Sequence, residues 1–140
     1  MKQLHHEILL CFNLFKHRIN PAMSQLDILP GQSKVLQCLL DHPSTPKEVG
    51  DYCKIDKSTT TSLMNKMEKM GYIEKEPSLS DKRSFVLYLT PLGKVKAEQS
   101  IIVCDKVNDL SLKDFSDKEK EQLFILLDKI KKNLEDGKHE

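Results

Sequence analysis

The sequence predicts a mainly α fold carrying one small β-hairpin, and three features predict it. Apolar residues recur at helical spacing through both terminal thirds. Two Thr-Pro steps, Thr45-Pro46 and Thr90-Pro91, read as helix starts, and one run of strand formers, Phe85 to Leu89, follows a polar, turn-rich stretch. With 140 residues and 39% hydrophobic content the chain is one domain's worth of material with enough apolar surface for a modest core. Charged residues reach 31%, but both signs are interspersed with apolar ones, which argues against disorder. The greasiest stretch, Ile8 to Phe15, is interrupted by Asn13 and falls far short of the roughly 20 apolar residues of a membrane span. A carboxylate, Glu7, stands where a signal peptide would be apolar, so no membrane association and a cytoplasmic location are expected.

Taken in order, Leu4, Ile8, Cys11, Phe12, Phe15 and Ile19 form one face of an amphipathic helix, and Leu10 and Leu14 add a second apolar row. A helix that is apolar on two sides needs cover from two directions, and a second copy of the chain would supply it. Asn20 to Pro30, with two prolines, reads as a loop. Val35, Leu36, Leu39 and Leu40 then mark a helix ending near His42-Pro43. In Thr45-Pro46-Lys47-Glu48 the threonine hydroxyl and the glutamate are spaced for a capping box, opening a short helix to Cys53. Asp56 caps the next helix, Lys57 to Met70, with Thr60, Leu63, Met67 and Met70 inward and Gly71 as its stop. Two short helices across a tight turn form a helix-turn-helix. Strand-like Tyr72 to Glu76, the turn Pro77 to Arg83 and strand-like Phe85 to Leu89 make the hairpin that follows it a wing. Helix resumes at Pro91 and runs through Val95, Ile102 and Val107 to Leu110, and a second capping box, Ser116 with Glu119, opens a last helix with the row Leu123, Leu126, Leu127, Ile130 and Leu134.

The second helix of a helix-turn-helix enters the major groove of double-stranded DNA. Its outward positions here are Ser58, Thr61, Ser62, Asn65 and Lys69, flanked by Lys57 and Lys66. Serine and threonine are mediocre helix formers, so the run Ser58 to Ser62 points to a surface that must approach something closely. A solvated face that merely tolerates them is the plainer alternative. The charge is uneven: residues 54–96 hold nine Lys/Arg against five Asp/Glu, and residues 97–140 hold eight against eleven. At the hairpin tip, Asp81, Lys82 and Arg83 offer a slim cationic arm suited to a narrow minor groove, Asp81 being able to fix the arginine. Taken alone, such a turn is an ordinary charged loop. The four cysteines at 11, 38, 53 and 104 form no Cys-x-x-Cys pair, so reduced thiols are expected rather than disulfides or zinc. No phosphate loop or catalytic triad pattern is present, so an enzyme is not expected and no cofactor is implied.

From about residue 29 to residue 94 the chain resembles the MarR family of winged-helix transcriptional regulators. The marks are Pro-Gly-Gln-Ser-Lys-Val-Leu at 30–36, Thr-Pro-Lys-Glu-Val-Gly at 45–50, Lys-Ser-Thr-Thr-Thr-Ser-Leu-Met-Asn-Lys-Met-Glu-Lys-Met-Gly-Tyr-Ile at 57–73, Ser-Asp-Lys-Arg-Ser at 80–84 and Leu-Thr-Pro-Leu-Gly at 89–93. The resemblance implies one domain over residues 1–140, with dimerisation helices in 1–28 and 95–140 around a DNA-binding lobe in 29–94. It further implies a homodimer, more often a repressor than an activator, on a pseudo-palindromic operator. Arg83 corresponds to the wing arginine and Asp81 to the aspartate that positions it. Ser58, Thr61 and Ser62 fall where the family meets the major groove, although Ser62 stands where arginine is common. Many relatives are released by a small-molecule effector, phenolic or otherwise amphipathic, and others sense peroxide through a cysteine near the start of the first helix. Leu10-Cys11-Phe12 is similar to that branch, with Phe15 where it tends to carry tyrosine. Cys11 is thus either a redox sensor or a packing residue. The histidines offer no ligand pair for the zinc sensing also known in the family. A winged-helix module that contacts only proteins is the alternative to a DNA-binding regulator.

Overall fold

A computed structural model describes residues 2–80 and 83–136 and bears out the mainly helical fold with one hairpin. The elements are α1 (Leu4–Ser24), α2 (Gln32–Asp41), α3 (Pro46–Cys53), α4 (Lys57–Lys69), β1 (Ile73–Pro77), β2 (Phe85–Leu89), α5 (Pro91–Ser111) and α6 (Asp117–Asp136). They fall into two compact units, one up to Val107 and one from Asn108 onward. Among the described residues no helix is long and apolar enough to cross a membrane.

In the first unit α1 runs past the expected boundary, so residues 20–24 are helix rather than loop, with Pro21 inside it. Proline at this point removes one backbone donor. Met23, only 2% exposed, nevertheless ties the last turn into the core, and its carbonyl accepts from Ile28 N–H at 3.0 Å. Tertiary anchoring outweighs the lost bond. The core gathers Val35, Leu36, Val49, Met67, Ile73, Leu87 and Ala97 from the helices and the hairpin, with Ile28 and Tyr72 from the segments between them.

The capping signals act as the sequence predicts. Thr45 N–H donates to Glu48 Oε1 at 3.1 Å while Glu48 N–H donates to Thr45 Oγ1 at 3.2 Å. These bonds hold the Glu48 carboxyl below its ordinary pKa. The same reciprocal pair joins Ser116 and Glu119 at the start of α6, in the second unit. α4 stops at Gly71, whose φ of +80° belongs to the left-handed region glycine tolerates. β1 and β2 pair antiparallel, from Ile73 opposite Leu89 to Pro77 opposite Phe85. Ser44 adds a third, one-residue rung by exchanging both backbone bonds with Leu87 at 3.1 and 2.8 Å, a pairing that no local pattern announces.

The hairpin is locked to α5 through Thr90, whose hydroxyl donates to the Gly71 carbonyl at 2.6 Å and accepts from Gly93 N–H at 3.0 Å. Gly93 sits against the Tyr72 carbonyl so closely that a Cβ there would lie 2.0 Å from the oxygen. Glycine at this point is a steric requirement.

Candidate nucleic-acid interface

α4 is positioned by its apolar underside and its cap. Thr60, Met64 and Met67 are buried, while Leu63 and Met70 are only half-buried. The inward row is therefore rotated slightly from the sequence expectation, because adjacent Leu63 and Met64 leave the phase of the helix open. Leu63 instead reaches toward Gly31, where a built Cβ would meet its Cδ2 at 3.3 Å. The turn before α4 closes on Gly50, which is buried, and a Cβ there would stand 3.1 Å from Thr60 Oγ1. Lys54 takes a φ of +57° so that the chain can reverse between α3 and α4.

The opposite face carries Lys57, Ser58, Thr61, Ser62, Asn65 and Lys66, all exposed. The first five line one shallow depression. Asp56 organises the start of this face: its Oδ1 accepts from Thr59 N–H at 2.7 Å and from the Ser58 hydroxyl at 2.9 Å. The Thr59 backbone bond is the main reason its carboxyl is held below its ordinary pKa. The Thr61 hydroxyl donates to the Lys57 carbonyl at 2.9 Å. Lys47, on α3, shares a neighbouring depression with Lys57 and adds a cation on the same side. Sequence reasoning passed over it, although its place in the first turn of the first helix of a helix-turn-helix marks it as a candidate.

On the hairpin, Ser78 N–H donates to the Ser84 carbonyl at 3.0 Å and closes the loop beyond the strands. Arg83 is exposed on that loop. Asp81 and Lys82 lie outside the described residues, and with them the expected contact between Asp81 and the guanidinium. Below the loop, Tyr88 donates to Glu74 Oε2 at 2.7 Å, which pushes its phenol up to about 12. Lys75 pairs with Glu68 at 3.6 Å and lies over the Phe85 ring, 5.0 Å from its centre. The carboxylate of Glu68 and the cation of Lys75 thus brace the hairpin against α4.

The four thiols differ. Cys11 is exposed on α1, Cys38 is buried, and Cys53 and Cys104 are half-buried. Burial pushes the Cys38 and Cys53 thiols up, which disfavours their thiolate forms. Among the described residues no cluster of three His, Cys, Asp or Glu side chains could hold a metal ion.

A capped helix with a small polar outer face, set on a short helix and followed by a hairpin with an arginine on its loop, defines a winged helix-turn-helix protein. The model of the MarR family matches residues 26–84. The organic hydroperoxide resistance transcriptional regulator of Bacillus subtilis is 28% identical over 130 residues, covering 86% of this chain and 88% of that protein. YybA of the same organism, an HTH-type transcriptional regulator, is 27% identical over 117 residues, covering 83% of this chain and 78% of its own length. A MarR variant from E. coli solved with operator DNA superposes with a TM-score of 0.80 at 26% identity, over 91% of this chain and 92% of that one. The winged helix-turn-helix segment is thus similar to the MarR family over residues 26–84, and the relatives that the chain matches are transcriptional regulators.

Proposed function

We propose that the protein is a homodimeric repressor that binds a pseudo-palindromic operator in double-stranded DNA and lets go when an effector alters the spacing of its two lobes. The observation that carries this reading is the α4 face. Lys57, Ser58, Thr61, Ser62, Asn65 and Lys66 are exposed together on a helix whose opposite side is locked into the core. Lysines supply the phosphate term and the short polar side chains meet base edges. Arg83, with Lys82 and Asp81, forms the wing contact in the adjacent minor groove. The E. coli neighbour was solved in complex with operator DNA, which supports the same reading.

Dimerisation is supported by apolar surface that the chain leaves uncovered. On α1, Leu4, Ile8, Leu9, Leu10, Phe12 and Leu14 are all exposed, and α6 has no buried residue at all. A second copy would cover each of these faces, matching the roles expected for residues 1–28 and 95–140. Two recognition helices must then sit about one DNA turn apart, roughly 34 Å, to engage both half-sites. An effector acts only through its different affinity for the competent and incompetent spacings.

The effector is a small phenolic or other amphipathic molecule, or a peroxide acting on Cys11. The exposure of Cys11, and the similarity to a regulator named for organic hydroperoxide resistance, favour the second. A thiolate attacks the peroxide O–O bond, becoming a sulfenic acid as water or an alcohol leaves.

The test is selection of bound fragments from sheared DNA of the source organism at about physiological salt, where weak non-specific binding is suppressed. A two-fold-symmetric site is expected, with Arg83→Ala losing affinity while remaining dimeric. Recovered DNA then serves to test release by peroxide in the parent protein and in Cys11→Ser. A folded, reduced dimer that binds no DNA at any salt would instead favour a module for protein contacts.

A further inference from the structure

Two hydroxyl protons on the α4 face, those of Ser58 and Thr61, are already committed, and this restricts what these two side chains can read in DNA. Carboxylate and carbonyl oxygens only accept, so the direction of two bonds is fixed by chemistry. Ser58 donates to Asp56 Oδ1 at 2.9 Å and Thr61 donates to the Lys57 carbonyl at 2.9 Å. What these two side chains turn outward is oxygen lone pairs and, from Thr61, a methyl group. Ser58, Thr61, Ser62 and Asn65 follow at i, i+3, i+4 and i+7, one stripe along the exposed side of the helix. α4 contains no arginine.

In the major groove guanine presents two acceptors, N7 and O6, and no donor; adenine sets an amino donor beside its N7 acceptor, cytosine presents an amino donor, and thymine sets a methyl group beside its O4 acceptor. Lone pairs facing guanine acceptors repel; lone pairs facing amino groups are satisfied. Asn65, one turn beyond Thr61, has both a donor and an acceptor, the pair that adenine N6 and N7 require.

Resting on the DNA-binding reading above, we propose that α4 reads A·T base pairs at the centre of each half-site. Thr61 packs its methyl on a thymine methyl, Ser58 accepts from a base amino group, and Asn65 pairs with adenine. Lys57 and Lys66 serve phosphates and read no guanine.

The test is a titration of the full-length protein against duplexes carrying a symmetric site selected from random sequence, with single bases replaced. Replacing the contacted thymine by uracil removes one methyl group and is expected to weaken binding about fourfold, the effect of one buried methyl. Thr61→Ser keeps the hydroxyl but lacks the methyl, so it is expected to bind the thymine and uracil duplexes equally. Replacing guanines by 7-deazaguanine is expected to change affinity by less than about twofold, because a lost bidentate guanine contact costs about tenfold or more. A guanine-centred half-site with a tenfold loss on 7-deazaguanine would overturn the inference while leaving the regulator reading intact. So would a uracil effect that persists unchanged in Thr61→Ser. DNA binding without any enriched sequence would likewise overturn it alone, whereas no DNA binding even at low salt would sink the proposed function itself.

Discussion

Between Ile28 and Leu87 most large apolar side chains point inward, with Ile28, Val35, Leu36, Val49, Met67, Ile73 and Leu87 almost wholly buried and only Tyr52 and Leu79 exposed among the described residues. Along α6 the same kinds of side chain stay outside: Phe124, Ile125, Leu126 and Leu134 are 47–73% exposed, and none on that helix is buried. α1 divides between the two conditions, anchored at Met23 and uncovered at Phe12 and Leu14. The lobe that carries α4 therefore closes its own core, while the terminal helices leave apolar rows exposed. Rows of exposed apolar side chains on a helix are the kind of surface that a partner covers.

If that contrast is right, truncating a side chain should have effects that depend on where it lies. Leu36→Ala opens a cavity in the lobe and is expected to destabilise by about 2–5 kcal/mol in chemical denaturation. Gly93→Ala forces a Cβ into the Tyr72 carbonyl and is expected to cost about 3 kcal/mol or more, since backbone on both sides must shift. On the terminal helices, Phe12→Glu should split the dimer while leaving the lobe folded, seen as a melting temperature that no longer rises with protein concentration. A lobe that unfolds with Phe12→Glu would break the contrast. Smaller still, Thr45→Ala removes one half of the capping box on α3 and is expected to cost about 1 kcal/mol.

The titrating groups sharpen the same picture. The carboxyls of Glu48, Asp56 and Glu119 are held below their ordinary pKa mainly by cap hydrogen bonds. Depressed in the folded state, they contribute stability that is complete above the ordinary carboxylate value, about 4, and is lost as pH falls through their lowered values. Acid unfolding monitored by circular dichroism should show this, and Asp56→Ala should flatten its share. Tyr88 runs the other way: raised to about 12, its contribution is complete below the ordinary tyrosine value of about 10 and is lost as pH rises through 12. Phenolate absorbance should show Tyr88 ionising last of the exposed tyrosines, and Glu74→Gln should bring it forward.

How legible each part was depends on whether its cause is local. The capping boxes at Thr45 and Ser116, the stop at Gly71 and the hairpin around Phe85 to Leu89 were readable because a few neighbouring residues decide them. The continuation of α1 through Pro21 was not, because Met23 is held by parts of the chain far away in sequence. The rung between Ser44 and Leu87 was hidden for the same reason. On α4 the spacing identified which residues stand outward. It did not show that the Ser58 and Thr61 hydroxyls donate to the Asp56 carboxylate and the Lys57 carbonyl, since hydroxyl direction is set by partners that only geometry reveals.

The most direct measurement is the number of chains on one operator duplex, by sedimentation equilibrium with a labelled symmetric site. Two chains per duplex, from a free protein already dimeric, is the predicted result: it joins the apolar faces of the terminal helices to the reading face of α4 in one observation. A single chain per duplex, from a free protein that stays monomeric at the concentrations used, would contradict the account.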